Sequence, residues 1–211
     1  MYTSHEITEA TIEEGIAALS AIDADLATIH ARRGFPPMWV REPGFPTLML
    51  IILEQQVSLA SAKAIYEKTA HLLGEVTPES VLAFGETGLR GAGITRQKTG
   101  YVLALARDLV EGRLDLVALE RMDDESAYRR LVALHGIGAW SANIYLLMAL
   151  RRRDILPLGD LALDVTVQRV KNLPTKPTPA EFIAIAEPWR PWRAVASRLL
   201  WAEYLGARKD R

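Results

Sequence analysis

Apolar residues recur at helical spacing in one segment after another of this chain, while runs with the two-residue alternation of a half-buried strand are nearly absent. A stripe of period 3.6 has to be buried against other helices when no sheet is available to receive it, so the chain is expected to be all-α. The first helix is expected from about Thr11 to Ala31, with Ile12, Ile16, Leu19, Leu26 and Ile29 near one face, closed by a Pro-rich connector from Gly34 to Pro46. Leu48, Ile51, Ile52 and Gln55 mark a buried helix, and Ala62, Ile65, Tyr66, Thr69 and Leu73 mark its successor, which stops at Gly74. Thr77-Pro78 opens a short helix, Tyr101 to Leu109 forms another that ends at Gly112, and Thr178-Pro179-Ala180-Glu181 reads as a capping box. A last helix is expected from about Pro191 to Leu205, ended by Gly206.

Between two of these helices lies Leu134-His135-Gly136-Ile137-Gly138-Ala139-Trp140-Ser141-Ala142, a hairpin segment. Asp123 caps its first arm, which bears Tyr128, Leu131 and Leu134, and the almost wholly apolar Trp140 to Leu150 forms its second. Two glycines one residue apart allow a tight turn and bring bare N–H groups close to an anion, with the positive end of the next helix facing the same point. Gly-x-Gly alone is a weak signal. Asp160 follows about one helix later, behind Pro157-Leu158-Gly159, where a helix cap is expected. A carboxylate there accepts backbone N–H bonds and feels the positive helix end, which favours its ionised form. Asp164 is one turn further on, where a solvated or salt-bridged surface acid is expected.

The 211 residues are 49% apolar, enough for one large domain or two lobes. About nine helices without an obvious flexible linker suggest a single two-lobed body, with a central lobe at approximately 47–134, a second lobe from 1–46 plus 151–211, the two-helix hairpin at about 124–150, and a cleft between the lobes. The chain has no cysteine, which excludes a disulfide framework and thiolate-bound zinc or iron–sulfur clusters. No run of 18 apolar residues occurs and the amino terminus is acidic and amphipathic, so a cytoplasmic protein without membrane association is expected. A net charge of −1 and a pI near 6.4 argue against a generic polyanion binder.

The Leu-x-Gly-Ile-Gly segment followed by a small hydroxyl residue and alanine resembles the helix-hairpin-helix of base-excision DNA glycosylases. Together with Ile52-Leu53-Glu54-Gln55-Gln56-Val57-Ser58, Gly93-Ile94-Thr95-Arg96-Gln97-Lys98 and Trp189-Arg190-Pro191-Trp192-Arg193, it is similar to the HhH-GPD superfamily from about Phe45 to Trp201, and within it to the bacterial 3-methyladenine DNA glycosylase II branch. The resemblance implies a monofunctional enzyme that hydrolyses the N-glycosidic bond of alkylated purines, of the 3-methyladenine and 7-methylguanine type, in damaged double-stranded DNA. It implies Asp160 as the catalytic carboxylate, stabilising positive charge on the sugar and orienting or deprotonating water. Trp140 stands where strand-cleaving members carry a nucleophilic lysine, so no Schiff base can form and an abasic site is left. Trp140 and Trp201 are the expected base pocket, an indole pair suited to a cationic ring. Trp189 and Trp192 are expected only to pack the last helices.

The same resemblance puts Gly136, Gly138, Ala139 and Ser141 on the DNA backbone, with Lys98 and Arg193 as further contacts; for Arg193 a buttress of the catalytic region or a surface salt bridge is equally open. Gln56, ahead of Val57, takes the place of the side chain that wedges into the duplex when a base is extruded, where close relatives have leucine. The Arg151-Arg152-Arg153 run is expected to be a solvated face, and His135 a surface residue. No cofactor is required, although the family allows a Na+ or K+ ion on hairpin carbonyls, here Leu134, Gly136 and Ile137. A monomer acting in the bacterial cytoplasm at the nucleoid is expected. Larger relatives carry an additional β-rich N-terminal domain in place of the single front helix read here. The competing readings are a non-catalytic helix-hairpin-helix DNA-binding module, a glycosylase for another damaged base, and a helical scaffold that binds no DNA.

Overall fold

The structure, a computed structural model, describes residues 6–210. Its elements run α1 (Glu9–Ile22), α2 (Ala24–Arg33), α3 (Phe45–Glu54), α4 (Leu59–Leu73), α5 (Pro78–Gly91) and α6 (Arg96–Val110). They continue as α7 (Leu116–Arg121), α8 (Asp124–Val132), α9 (Ala139–Ile144), a π-helical turn at Tyr145–Ala149, α10 (Leu161–Val170), α11 (Pro179–Ala186) and α12 (Arg193–Lys209). The fold is all-α. An isolated antiparallel bridge between Glu6 and Arg152 is the sole β pairing among the described residues.

The chain forms two compact units, one made of the described residues up to Val40 and from Leu146 onward, the other of Arg41–Tyr145. In the first, α12 packs on α1, α2 and α10, burying Leu19, Leu26, Ile29, Leu163, Val167, Leu199 and Leu200. Each such side chain contributes about 1.5–3 kcal/mol through removal from water. Glu203 is buried at 2% exposure beside them and is matched by three guanidinium groups, Arg32, Arg33 and Arg169, at 2.8, 2.9 and 2.7 Å. In the second unit α3 packs on α4, α6 and α9 and is buried nearly all round, down to Glu54, whose carboxylate takes a bidentate pair from Arg41 at 2.8 and 2.9 Å. Tyr145 is wholly buried there; burial pushes its phenol up to about 12, so it stays neutral and its oxygen accepts the Gly44 N–H at 3.0 Å.

Three expectations about helices need correction. The single front helix is two, because Asp23 leaves helical geometry and caps α2, accepting from the Asp25 and Leu26 N–H groups at 3.1 and 3.3 Å. Gly206 does not end the last helix, which runs on to Lys209. A Cβ at Gly206 would meet the Arg33 guanidinium at 2.5 Å, so this glycine makes room for a packed arginine rather than a stop. The second hairpin arm is not one helix but α9 followed by the π-helical turn.

Asp23 also receives Lys171 Nζ at 2.7 and 2.8 Å and the Trp189 indole N–H at 2.8 Å, which ties α2 to α10 and to the turn before α12. Burial raises its pKa, but the bonds from Lys171, Trp189 and the Leu26 N–H outweigh that and hold the carboxyl below its ordinary value. Its stabilisation is therefore complete above the unfolded-state pKa near 4 and is lost as pH falls through the lower folded value. Asp23→Ala is expected to cost about 2 to 3 kcal/mol at pH 7, through the lost cap, the stranded Trp189 N–H and a Lys171 left with Asp25 alone at 2.8 Å, and to flatten the loss of stability below pH 4 in denaturant titrations.

Candidate active site and hairpin

In the first unit the chain reaches α10 through Gly159, which at φ +78 adopts the left-handed turn that lets Asp160 stand as N-cap. Asp160 Oδ1 accepts the Ala162 and Leu163 N–H groups at 3.0 and 3.1 Å and, from α12, the Trp201 indole N–H at 3.1 Å. Three donors on one oxygen set the orientation of the whole carboxylate, and it remains partly accessible to solvent. Asp164, expected to be a plain surface acid, is half-buried; burial, then the neighbouring Asp160 charge, push its carboxyl above the ordinary value.

Trp201 is buried at 8% exposure, so its N–H serves Asp160 while little of its ring faces solvent. Trp39, which the motifs did not single out, stands 6.0 Å from the Trp201 ring at 87°. Its isolation in the Pro-rich connector gave no periodic signal. Trp189 and Trp192 are buried packing residues: Trp189 donates to Asp23 and meets the Phe182 ring at 6.3 Å, and Trp192 lies where a Cβ on Gly15 would be only 2.8 Å away. Arg193, for which the sequence leaves a phosphate contact, a buttress and a salt bridge open, has Nε on Asp154 Oδ1 and a second nitrogen on the Asp154 carbonyl, both at 2.7 Å, and is 14% exposed. It braces the loop before α10, so the buttress and salt-bridge readings hold rather than the phosphate contact. The Arg151-Arg152-Arg153 run is not a solvated face: Arg152 is buried, Arg151 pairs with Glu6 at 3.3 Å, and Arg153 sits over the Trp192 ring at 5.1 Å.

In the second unit the hairpin between α8 and α9 turns at Gly136, at φ +87, where a Cβ would fall 2.1 Å from Tyr101 Cγ. That position admits glycine only. Gly138 is different: it is extended, with φ −86, caps α9 without a side-chain bond, and faces open space. The Tyr101 ring lies under the turn and meets exposed His135 edge-on at 4.9 Å. Ala139 is exposed at the start of α9 and Trp140 is half-buried. Ser141, expected to reach DNA, is buried at 2%, and its hydroxyl accepts from Gln55 Nε2 at 2.9 Å.

Gln55 is the brace of this region, since the same Nε2 donates to the Gly136 carbonyl at 2.8 Å. The Leu134 carbonyl accepts the Ile137 N–H at 3.1 Å. Each of these carbonyls retains its second lone pair, so the hairpin keeps the oxygen chemistry that a hard monovalent ion takes. Among the described residues no His, Asp and Glu cluster of metal-binding size occurs.

Lys98, expected on phosphate, is turned inward instead, with Nζ on the Leu53 and Gln55 carbonyls, both at 2.7 Å. Burial holds its pKa below the ordinary lysine value. The two contacts cap the end of α3 and hold the turn in which Gln56 adopts a left-handed backbone at φ +58, exposed together with Val57, Ser58 and Leu59. Lys98→Met is therefore expected to lower the thermal midpoint without reducing the salt dependence of DNA binding, whereas a lost phosphate contact would lower that slope by about one.

The family model described as HhH-GPD superfamily base excision DNA repair protein matches residues 49–191. A Bacillus subtilis DNA-3-methyladenine glycosylase is 29% identical over 169 residues, 74% of this chain and 56% of the relative. This chain spans 64% and 56% of the lengths of two Bacillus subtilis relatives that it matches. Among solved structures, a DNA-3-methyladenine glycosidase from Bacillus halodurans superposes with a TM-score of 0.78 at 26% identity, over 93% of this chain and 91% of that one. The 3-methyladenine DNA glycosylase Mag1 of Schizosaccharomyces pombe, in complex with abasic DNA, shares the fold, with a TM-score of 0.83 at 24% identity over 89% of this chain and 95% of that one.

Proposed function

The chain belongs to the HhH-GPD superfamily of base excision DNA repair proteins, and we propose that it is a monofunctional DNA glycosylase releasing alkylated purines from duplex DNA. The observation that carries this reading is the carboxylate of Asp160, oriented by two backbone N–H groups and an indole at the mouth of α10. Breaking an N-glycosidic bond builds positive charge on the sugar, and an anion held without reorganisation stabilises that charge more than the neutral ground state. The same carboxylate orients the attacking water or takes its proton. Alkylation places positive charge on the purine, which makes the base a better leaving group and attracts it to indole faces.

The hairpin carries the DNA contact through backbone rather than charge. Gly136, Gly138 and Ala139 bring N–H groups to a phosphate, which suits a protein of net charge −1. Gln56, exposed and held out by the turn that Lys98 caps, is the wedge that replaces the extruded base. Trp140 occupies the position of the strand-cleaving lysine, so the product is an intact strand with an abasic site. A Na+ or K+ ion on the Leu134, Gly136 and Ile137 carbonyls would stiffen the hairpin and offer a phosphate a positive charge, and no catalytic step is assigned to it. The protein acts as a monomer in the bacterial cytoplasm on this reading. No helix among the described residues is long and apolar enough to cross a membrane.

The test is release of free 3-methyladenine and 7-methylguanine from a methylated duplex, followed by strand scission with and without alkali. Base release with breaks appearing only after alkali supports the reading. Breaks without alkali would reverse the assignment at Trp140, binding without release would leave a hairpin DNA-binding module, and the absence of salt-dependent DNA binding would leave a helical scaffold.

A further inference from the structure

Of the edge-to-face pair formed by Trp201 and Trp39, the more exposed residue is the one outside every motif. Trp201, which donates to Asp160, is 8% exposed, whereas its edge-to-face partner Trp39 is more exposed, though partly buried. The position of Trp39 is enforced. Its backbone is left-handed at φ +44, a conformation that a bulky residue keeps only where the surroundings over-determine it. What determines it is Arg198, fully buried, whose Nε donates to the Met38 carbonyl at 3.0 Å. The same guanidinium donates to the Ala194 carbonyl of α12 at 3.1 Å and to the Leu147 carbonyl of the π-helical turn at 3.0 Å. The residue before Trp39 is thus clamped to the helix that carries Trp201.

We propose that Trp39 is a specificity-determining residue: its indole meets the everted base and separates cationic N-alkylated purines from neutral ones. The presence of an everted base at this place rests on the glycosylase reading. The chemistry of discrimination does not, because an indole face attracts any cationic ring through its quadrupole and offers a neutral ring stacking alone. The two rings stand at right angles, so a base stacked on Trp39 lies with its plane perpendicular to the Trp201 ring, whose N–H holds Asp160.

The test uses Trp39→Leu and Trp39→Phe in the full chain with two readouts. The first is single-turnover release of 7-methylguanine and of hypoxanthine, a neutral base, from the same duplex context. The second is NMR titration of the DNA-free protein with the cationic nucleoside 7-methylguanosine and with guanosine. In the leucine variant the cationic partner is expected to lose about tenfold in both readouts while the neutral one changes by less than about twofold; phenylalanine restores most of the difference. Equal losses for both partners would assign Trp39 to packing and overturn the proposal, as would no loss at all. Should the wild type release no base, the glycosylase reading fails on its own and the titration still decides: a cation preference abolished by leucine upholds Trp39, and an absent or unchanged preference overturns it.

Discussion

Asp160→Asn is expected to abolish base excision, by about a thousandfold or more in single-turnover rate, while duplex binding stays within about threefold of wild type. Asparagine is nearly isosteric and its amide oxygen can still accept from Ala162, Leu163 and the Trp201 indole, so α10 keeps its cap and Trp201 its partner. What disappears is the negative charge. A variant with intact helices, intact DNA affinity and no base release separates the role in catalysis from the role in folding; full activity would end the proposal that this carboxylate is the catalyst. Asp164→Asn is the control. Burial and the Asp160 charge already disfavour ionisation of Asp164, so its neutralisation is expected to change release by less than about threefold.

The second large effect separates two glycines that look alike on paper. Gly136→Ala forces a Cβ to within 2.1 Å of Tyr101 Cγ on a backbone at φ +87, and neither the ring nor the turn can give way cheaply. Strain and overpacking together are expected to cost about 3 to 5 kcal/mol, seen as a lowered midpoint in urea. The turn would carry the Gln55 contact away with it, so DNA affinity falls too. Gly138→Ala meets nothing within 4 Å and needs no left-handed backbone. It is expected to change stability by no more than about 1 kcal/mol. Its DNA affinity should nevertheless drop, because the added methyl stands between the backbone N–H groups and the phosphate. If both variants lose stability equally, the hairpin is tighter at Gly138 than the structure indicates; if neither loses DNA affinity, the hairpin does not hold the backbone.

Local chemistry was legible along the chain wherever neighbours in sequence are also neighbours in space. The helical periodicity, the caps at Thr77, Asp123, Asp160 and Thr178, and the chain stops at Gly74 and Gly112 depend on contacts within a few residues, and the structure contains each of them. The same holds for the hairpin and for the apolar character of its second arm. Polar side chains were harder, because their partners are remote in sequence. Lys98 and Arg193 carry the charge that phosphate needs, yet Lys98 is 43 residues from the Gln55 carbonyl it holds and Arg193 is 39 residues from Asp154. A side chain's charge is written in the sequence; the direction it points is set by what packs beside it.

The aromatic residues show the same division. Five tryptophans can be counted in the chain, and the resemblance separates Trp189 and Trp192, sealed in the core, from Trp201, bonded to the carboxylate, but only packing brings out Trp39, which follows Met38, whose carbonyl a buried arginine 160 residues away holds. Backbone propensity and capping act over one or two turns of helix, which is why the all-α class and the position of Asp160 could be read from residue order. Steric exclusion and hydrogen bonding between distant segments depend on how the helices stack, and that stacking chose which glycine is indispensable, which cations turn inward and which ring of the Trp39–Trp201 pair is the more exposed.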